Sequence, residues 1–281
     1  MSGMRQIRRQ LIFLLLIVCA AAAQAPQLVE GAFQSKSLGR AMKYRVLVPA
    51  SYQANDNRRY PVLYLLHGLY GDYKNWTELT AVAKHADGIE LIIAMPDGND
   101  SWYTNWNTDP KQKYEDYIVK DFTSEIETKY RVAAARETRY LAGLSMGGYA
   151  AMKFALKYPQ MFSVAASFSG AFDAPTRLSK EMPAFSEQLT KVYGPANSTT
   201  RTENDVYLLM QKADAKALPY LFITCGTDDW LLPVNREFVE PLPKQAVRYE
   251  YHEWPGKHEW PFWDRSVRLF LEYLGGHSTT Q

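Results

Sequence analysis

Short apolar runs, often β-branched and closed by glycine, proline or a polar residue, recur at Tyr44–Val48, Val62–Leu66, Leu91–Met95, Arg139–Ala142, Val164–Phe168, Leu221–Cys225 and Val247–Tyr251. Several are apolar at successive rather than alternate positions, so both of their faces must be covered, as in the strands of a buried parallel sheet. Between them the period changes. Tyr114, Ile118, Phe122, Ile126 and Tyr130 recur every four residues, and Trp263, Val267, Phe270, Leu271 and Leu274 repeat in the same way near the C-terminus. Each set lays one apolar stripe along a helix. Strands alternating with helices predict an α/β fold, a mostly parallel central sheet with helices on both faces. Such sheets hold their ligands beyond the carboxyl ends of the strands.

The beginning of the chain has a different pattern. Arg5, Arg8 and Arg9 precede an uncharged apolar run of 13 residues, Leu11 to Ala23. A spanning helix needs roughly 20 residues, whereas this length, followed by small residues, suits a signal peptide over residues 1–25, cleaved after Ala23 or Ala25. The expectation is a secreted or periplasmic protein with no stable membrane insertion once the segment is removed. No stretch between Gln27 and Gly275 is a linker, a repeat or low in complexity, the last seven residues read as a frayed tail, and residues 26–281 predict one domain.

Charge and cysteine content narrow the reading further. The net charge of +2 loses the three leader arginines, leaving 29 basic groups against 30 acidic ones. No concentrated basic face is present, which excludes nucleic acid as a default partner. Cleavage also removes Cys19. Cys225 then closes an apolar strand and reads as a buried small hydrophobe, and no Cys/His spacing of the zinc type occurs. No metal or organic cofactor is expected.

Gly143-Leu144-Ser145-Met146-Gly147 matches G-x-S-x-G in the setting that its chemistry needs, with the strand pattern Arg139–Ala142 before it and a helical pattern from Tyr149 to Lys157 after it. So abrupt a turn strains the serine backbone and exposes its hydroxyl at the tip of the sheet. Ser145 is therefore the candidate nucleophile. The helix that follows points its N–H groups at any oxyanion formed there, with Met146 as first donor. A second donor is expected from His67-Gly68-Leu69-Tyr70-Gly71, which follows the strand Val62–Leu66, and the Leu69 N–H is the candidate. His67 itself reads as a loop-holding histidine rather than a substrate contact.

Chain order in such sites runs serine, acid, histidine. Three histidines follow Ser145, at 252, 258 and 277. His277 sits in a polar tail and His252 in a strand pattern, whereas His258 lies in the loop Pro255–Trp260 before the last helix, where an imidazole can reach over the sheet edge. The loop Gly226-Thr227-Asp228-Asp229-Trp230 offers two acids. The tight turn at Gly226-Thr227 favours Asp229 as the one that folds back toward His258, leaving Asp228 to cap the next helix.

These segments together resemble a known family. His67-Gly68, Asn75-Trp76, Pro96-Asp97-Gly98, Ser101-Trp102-Tyr103, Tyr114-Glu115-Asp116-Tyr117-Ile118, Gly143–Gly148, Cys225–Asp229 and Pro255–Trp260 are similar to the esterase D-like branch of α/β-hydrolases. That branch includes S-formylglutathione hydrolases, tributyrin-type esterases, feruloyl and acetylxylan esterases and mycolyltransferases. The resemblance covers roughly residues 30–275. It implies the α/β-hydrolase fold, Ser145, Asp229 and His258 as nucleophile, acid and base, and an oxyanion hole at Leu69 and Met146. The leader argues against the intracellular S-formylglutathione hydrolases.

The expected activity is serine carboxylesterase on small-molecule or carbohydrate esters. Acyl transfer to a sugar, or a non-catalytic binding role on the same scaffold, are the alternatives. Aromatic residues in the loops that should ring the site, above all Tyr70, Trp102, Tyr103 and Trp230, are the candidate substrate contacts, since such walls stack on sugars or aryl rings and line acyl pockets. The stretch from Ala171 to Lys212 shows no insertion apolar enough for a lipase lid, which favours short acyl groups.

Overall fold

The computed structural model describes residues 25–54, 57–178 and 181–278. Residues 1–24 of the segment read as a signal peptide lie outside them. Among the described residues no helix is long and apolar enough to cross a membrane.

Eight strands form one sheet: β1 (Gln27–Ser35), β2 (Arg40–Val48), β3 (Val62–Leu66), β4 (Ile92–Pro96), β5 (Arg139–Leu144), β6 (Val164–Phe168), β7 (Tyr220–Gly226) and β8 (Tyr249–Trp254). They lie in the order β1-β2-β4-β3-β5-β6-β7-β8. β1 and β2 are antiparallel to their neighbours, and every pairing from β4 across to β8 is parallel. This is the mostly parallel sheet of the α/β-hydrolase fold. The unbroken apolar runs follow from its two covered faces. Val62, Tyr64 and Leu66 pack into one core and Leu63 and Leu65 into the other, as the two-residue period of a strand requires. The helix Met146–Lys157 closes the first face, and the long C-terminal helix Trp260–Ser278 closes the second.

Three features differ from the sequence reading. β1 has no apolar run because it is an edge strand whose residues from Leu28 to Gln34 alternate between exposed and half-buried. It is held by pairing with β2 along its whole length, from Gln27 opposite Val48 to Ser35 opposite Arg40.

The four-residue repeat from Tyr114 is not one regular helix but α-helix over Tyr114–Asp116, π-helix over Tyr117–Phe122 and α-helix over Thr123–Lys129. At 3.6 residues per turn, each step of four over-rotates by about 40°. The wider π turn swings the stripe back toward the core, and all five repeat residues are buried.

The stretch between β6 and β7, read from the sequence only as lacking an insertion apolar enough for a lid, folds into the helices Pro183–Tyr193, Thr199–Glu203 and Val206–Lys212. Its apolar content is modest because one face suffices. Leu189, Val192 and Tyr193 anchor the first helix in the core, and the start of that helix turns toward the sheet's carboxyl edge.

Candidate active site

The turn from β5 into the helix Met146–Lys157 places Ser145 at φ 53° and ψ −113°, a left-handed backbone that costs an L-residue about 1–3 kcal/mol unless its surroundings hold it. The holding contacts are explicit. The Ser145 N–H donates to the Phe168 carbonyl at 2.9 Å, and the Ser145 carbonyl accepts from Tyr149 N at 2.9 Å and Ala171 N at 3.2 Å. Glycine at 147 is required by approach. A Cβ there would meet the Leu66 and His67 carbonyl oxygens at 2.6 Å, which is how closely the elbow helix seats against the end of β3.

Ser145 Oγ donates to His258 Nε2 at 3.0 Å, and His258 Nδ1 donates to Asp229 Oδ2 at 2.9 Å. The sequence separates these three side chains widely; the ends of β5, β7 and β8 bring them together. Gly226 makes the last approach possible, since a Cβ at this position would lie 2.2 Å from the Gly256 carbonyl oxygen. The turn carrying Asp229 thereby docks against the loop carrying His258, with Thr227 N bonded to the Trp254 carbonyl and Asp228 N to that of Gly256.

The Asp229 carboxylate is fully buried. Burial alone would raise its pKa, but the His258 ring and the Leu231 N–H hold it below the ordinary carboxylate range. Asp228, expected to cap the next helix, is exposed and caps nothing. The Leu231 N–H before that helix is taken by Asp229 itself, at 2.8 Å. His252 faces outward on β8 and pairs with Glu250.

The two candidate oxyanion donors are Leu69, which lines the cavity of Ser145, and Met146, which follows Ser145 at the start of the elbow helix. Gly68, Leu69 and Ser145 line one cavity of about 550 Å³. Neither the Leu69 N–H nor the Met146 N–H meets a protein acceptor among the described residues. His67 holds the Leu69 loop from below. Its Nδ1 donates to the Gly68 carbonyl at 2.7 Å and its Nε2 accepts from Gly98 N at 2.8 Å. Burial lowers its pKa, which suits a neutral ring with one donating and one accepting nitrogen.

Of the four aromatic residues expected at the substrate, Tyr70, Trp102 and Trp230 line the cavity. Tyr103 does not. Trp102 and Tyr103 are consecutive left-handed residues, φ 57° and 48°, and this winding puts the Trp102 ring in the cavity wall and the Tyr103 ring inside the protein. There Tyr103 fills the space that a Gly98 side chain would need and donates its hydroxyl to the His67 carbonyl at 3.2 Å. A run of aromatic residues in a loop carries no sign of such a reversal.

The sequence reading also missed Leu79, Arg177, Met182 and Phe185 in the wall. The last three belong to the insertion between β6 and β7, where the cluster Leu178, Met182 and Phe185 was the available signal. Among the described residues no group of three or more His, Cys, Asp or Glu side chains could hold a metal ion. Cys225 is buried, and burial together with nearby Asp229 pushes its thiol up to about 12. It is no nucleophile at neutral pH.

The likeness to known proteins is consistent along the chain. Residues 35–269 match the family described as "Putative esterase". An acetyl esterase of Caldicellulosiruptor saccharolyticus is 24% identical over 227 residues, covering 78% of this chain and 85% of that protein. Among solved structures, the fluorophosphonate-binding serine hydrolase FphF of Staphylococcus aureus superposes with a TM-score of 0.79 at 27% identity, covering 89% of this chain and 98% of its own. A ferulic acid esterase superposes with a TM-score of 0.78 at 28% identity, covering 90% and 98%. With its sheet order, its serine elbow and a family match over most of its length, the chain belongs to this esterase family and is a carboxylic-ester hydrolase.

Proposed function

We propose that the enzyme cleaves esters through an acyl-enzyme on Ser145, with His258 as base, Asp229 as its partner, and the Leu69 and Met146 N–H groups as oxyanion hole. The observation that carries this reading is the unbroken hydrogen-bonded line from Ser145 Oγ through His258 to buried Asp229, opening into an apolar cavity. His258 Nε2 takes the hydroxyl proton as Oγ attacks the ester carbonyl. The two main-chain donors receive the developing oxyanion, a contribution of about 3–4 kcal/mol per donor in comparable sites. The imidazolium, stabilised by Asp229, returns the proton to the leaving alkoxide. Water, deprotonated by the same ring, then releases the acid from the acyl-enzyme. The arginine-led apolar segment Leu11 to Ala23 supports export, and so action outside the cytoplasm.

Labelling with a fluorophosphonate followed by peptide mapping tests the assignment. The label is expected on Ser145, and Ser145→Ala is expected to lose labelling together with roughly 10⁴–10⁶ of kcat on p-nitrophenyl esters. Undiminished turnover by that variant would place the chemistry elsewhere.

A further inference from the structure

Six large hydrophobic side chains are markedly exposed among the described residues: Leu28, Tyr70, Leu79, Leu178, Met182 and Trp230. Four of these, Tyr70, Leu79, Met182 and Trp230, line the one cavity that holds Ser145 and His258. They come from four separate segments: the loop after β3, the end of the helix Asn75–Leu79, the approach to the helix Pro183–Tyr193, and the loop after β7. No local run of apolar sequence accounts for their meeting. Exposed apolar surface gathered in one place marks something that covers it, and here it continues inward along mostly apolar side chains. Leu69, Leu144, Trp102, Phe185, Trp260 and Trp263 carry the wall down to the serine.

The polar content of the wall argues against a hydroxyl-rich ligand. Among the described residues no carboxylate lines the cavity, and beside Ser145 and His258 the charged and amide side chains there are Arg177 and Asn75. The Arg177 guanidinium is held along one edge, through Nε and Nη2, by the two oxygens of Asp173 at 2.7 and 2.5 Å, and lies 4.8 Å over the Trp230 ring. The ion pair with Asp173 offsets its charge and fixes it against the rim. Asn75 Oδ1 already accepts from Asp72 N. A sugar in this cavity could stack on the aromatic rings, but its hydroxyl groups would meet few polar partners there, a desolvation cost that only paired groups repay.

Resting on the acyl-enzyme reading above, we propose that the favoured substrates are esters of a medium or long apolar acyl chain, which runs from Ser145 along this wall and out between Leu79 and Met182. This reverses the short-chain preference expected from the sequence. Each buried methylene adds favourable transfer free energy, so the specificity constant should climb with chain length until the chain clears the rim.

The test compares p-nitrophenyl acetate, butyrate and octanoate, each below its solubility limit, on the wild-type chain and on the double variant Leu79→Ser, Met182→Ser. The expected result is a kcat/KM for octanoate at least tenfold above that for acetate, with the double variant cutting the octanoate-to-acetate ratio roughly tenfold. A profile that is flat or falls with chain length, or a ratio that the double variant leaves in place, overturns the proposal while leaving Ser145 chemistry standing. Absence of all turnover together with absence of fluorophosphonate labelling would instead overturn the acyl-enzyme reading, and the substrate class with it.

Discussion

Lys153 Nζ lies 2.7 Å from the carbonyl oxygen of Tyr103, at a fully buried site on the helix that begins beside Ser145. It also reaches Thr104 Oγ1 at 2.8 Å and Glu115 Oε2 at 3.1 Å. One ammonium thus ties the elbow helix to the turn that carries Trp102 in the cavity wall and, through the Tyr103 hydroxyl, to the His67 carbonyl beneath the Leu69 loop. Burial pulls the pKa of this lysine down, and Glu115 opposes the fall.

Replacing Lys153 with methionine removes the donor and keeps most of the volume, while Glu115 retains Lys157 at 2.5 Å and the Tyr158 hydroxyl at 2.6 Å. The variant should fold, with stability reduced by about 3 kcal/mol. Its kcat should fall at least tenfold, because the turn supports, through the Tyr103 hydroxyl and the His67 carbonyl, the loop of the proposed Leu69 donor. Steady-state kinetics beside urea unfolding check this. A destabilised variant with wild-type kcat would reduce Lys153 to a purely structural role.

Glu115, the acid of this cluster, gives the fold a defined acid limit. Burial would raise its carboxyl, but Lys153 and Lys157 outweigh it and hold the group at about 2. The folded value lies below the unfolded one, about 4.3. The group therefore contributes stability that is present above that pH and lost as the pH falls toward 2. Asp229, also held low, acts in the same direction. Unfolding free energies measured from about pH 6 to about pH 3 should decline in the wild type. In Glu115→Gln the carboxylate's share of that decline is removed, while the Lys153 amine, already held down to about 7, loses the group that favours its charged form and should be neutral at pH 7. The neutral-pH value should be lower by about 2–3 kcal/mol because the bonds of Glu115 to Lys153, Lys157 and Tyr158 are lost or weakened. A variant as stable as the wild type at neutral pH would contradict this account.

The strands and the elbow were legible because their signals are local. β3 and β6 begin and end where the apolar runs do, since a strand buried on both faces has no polar position to blur it. That Ser145, Asp229 and His258 meet could be expected because each lies in a short loop after a legible strand, and strand order then fixes which loops meet. What stayed hidden depends on contacts from elsewhere. β1 takes its shape from pairing with β2. Tyr103 points inward because two left-handed residues reverse the turn and because Gly98, several residues earlier, leaves it room. The cavity rim was equally hidden, since Leu79 and Met182 acquire meaning only when distant segments converge on Ser145.

Asp229 faces two donors at once, and this makes Asp229→Asn an informative change. The carboxylate accepts the Leu231 N–H at 2.8 Å on Oδ1 and the His258 Nδ1–H at 2.9 Å on Oδ2. An asparagine can keep only one of these as an acceptor. With its oxygen on Leu231, its amide N–H₂ turns to His258 Nδ1, which must then become an acceptor, moving the ring proton to Nε2. The nitrogen facing Ser145 Oγ at 3.0 Å would no longer accept the hydroxyl proton. The expected loss is roughly 10⁴ in kcat, the order seen when the same change is made in other serine–histidine–aspartate sites, with little change in backbone geometry. Fluorophosphonate labelling should slow in parallel, because it draws on the same proton transfer. If labelling and turnover both survive in Asp229→Asn while Ser145→Ala abolishes them, His258 takes its orientation from elsewhere, and the neighbouring Trp230 and Trp263 rings, 5.3 and 4.9 Å from the imidazole, become the groups that hold it.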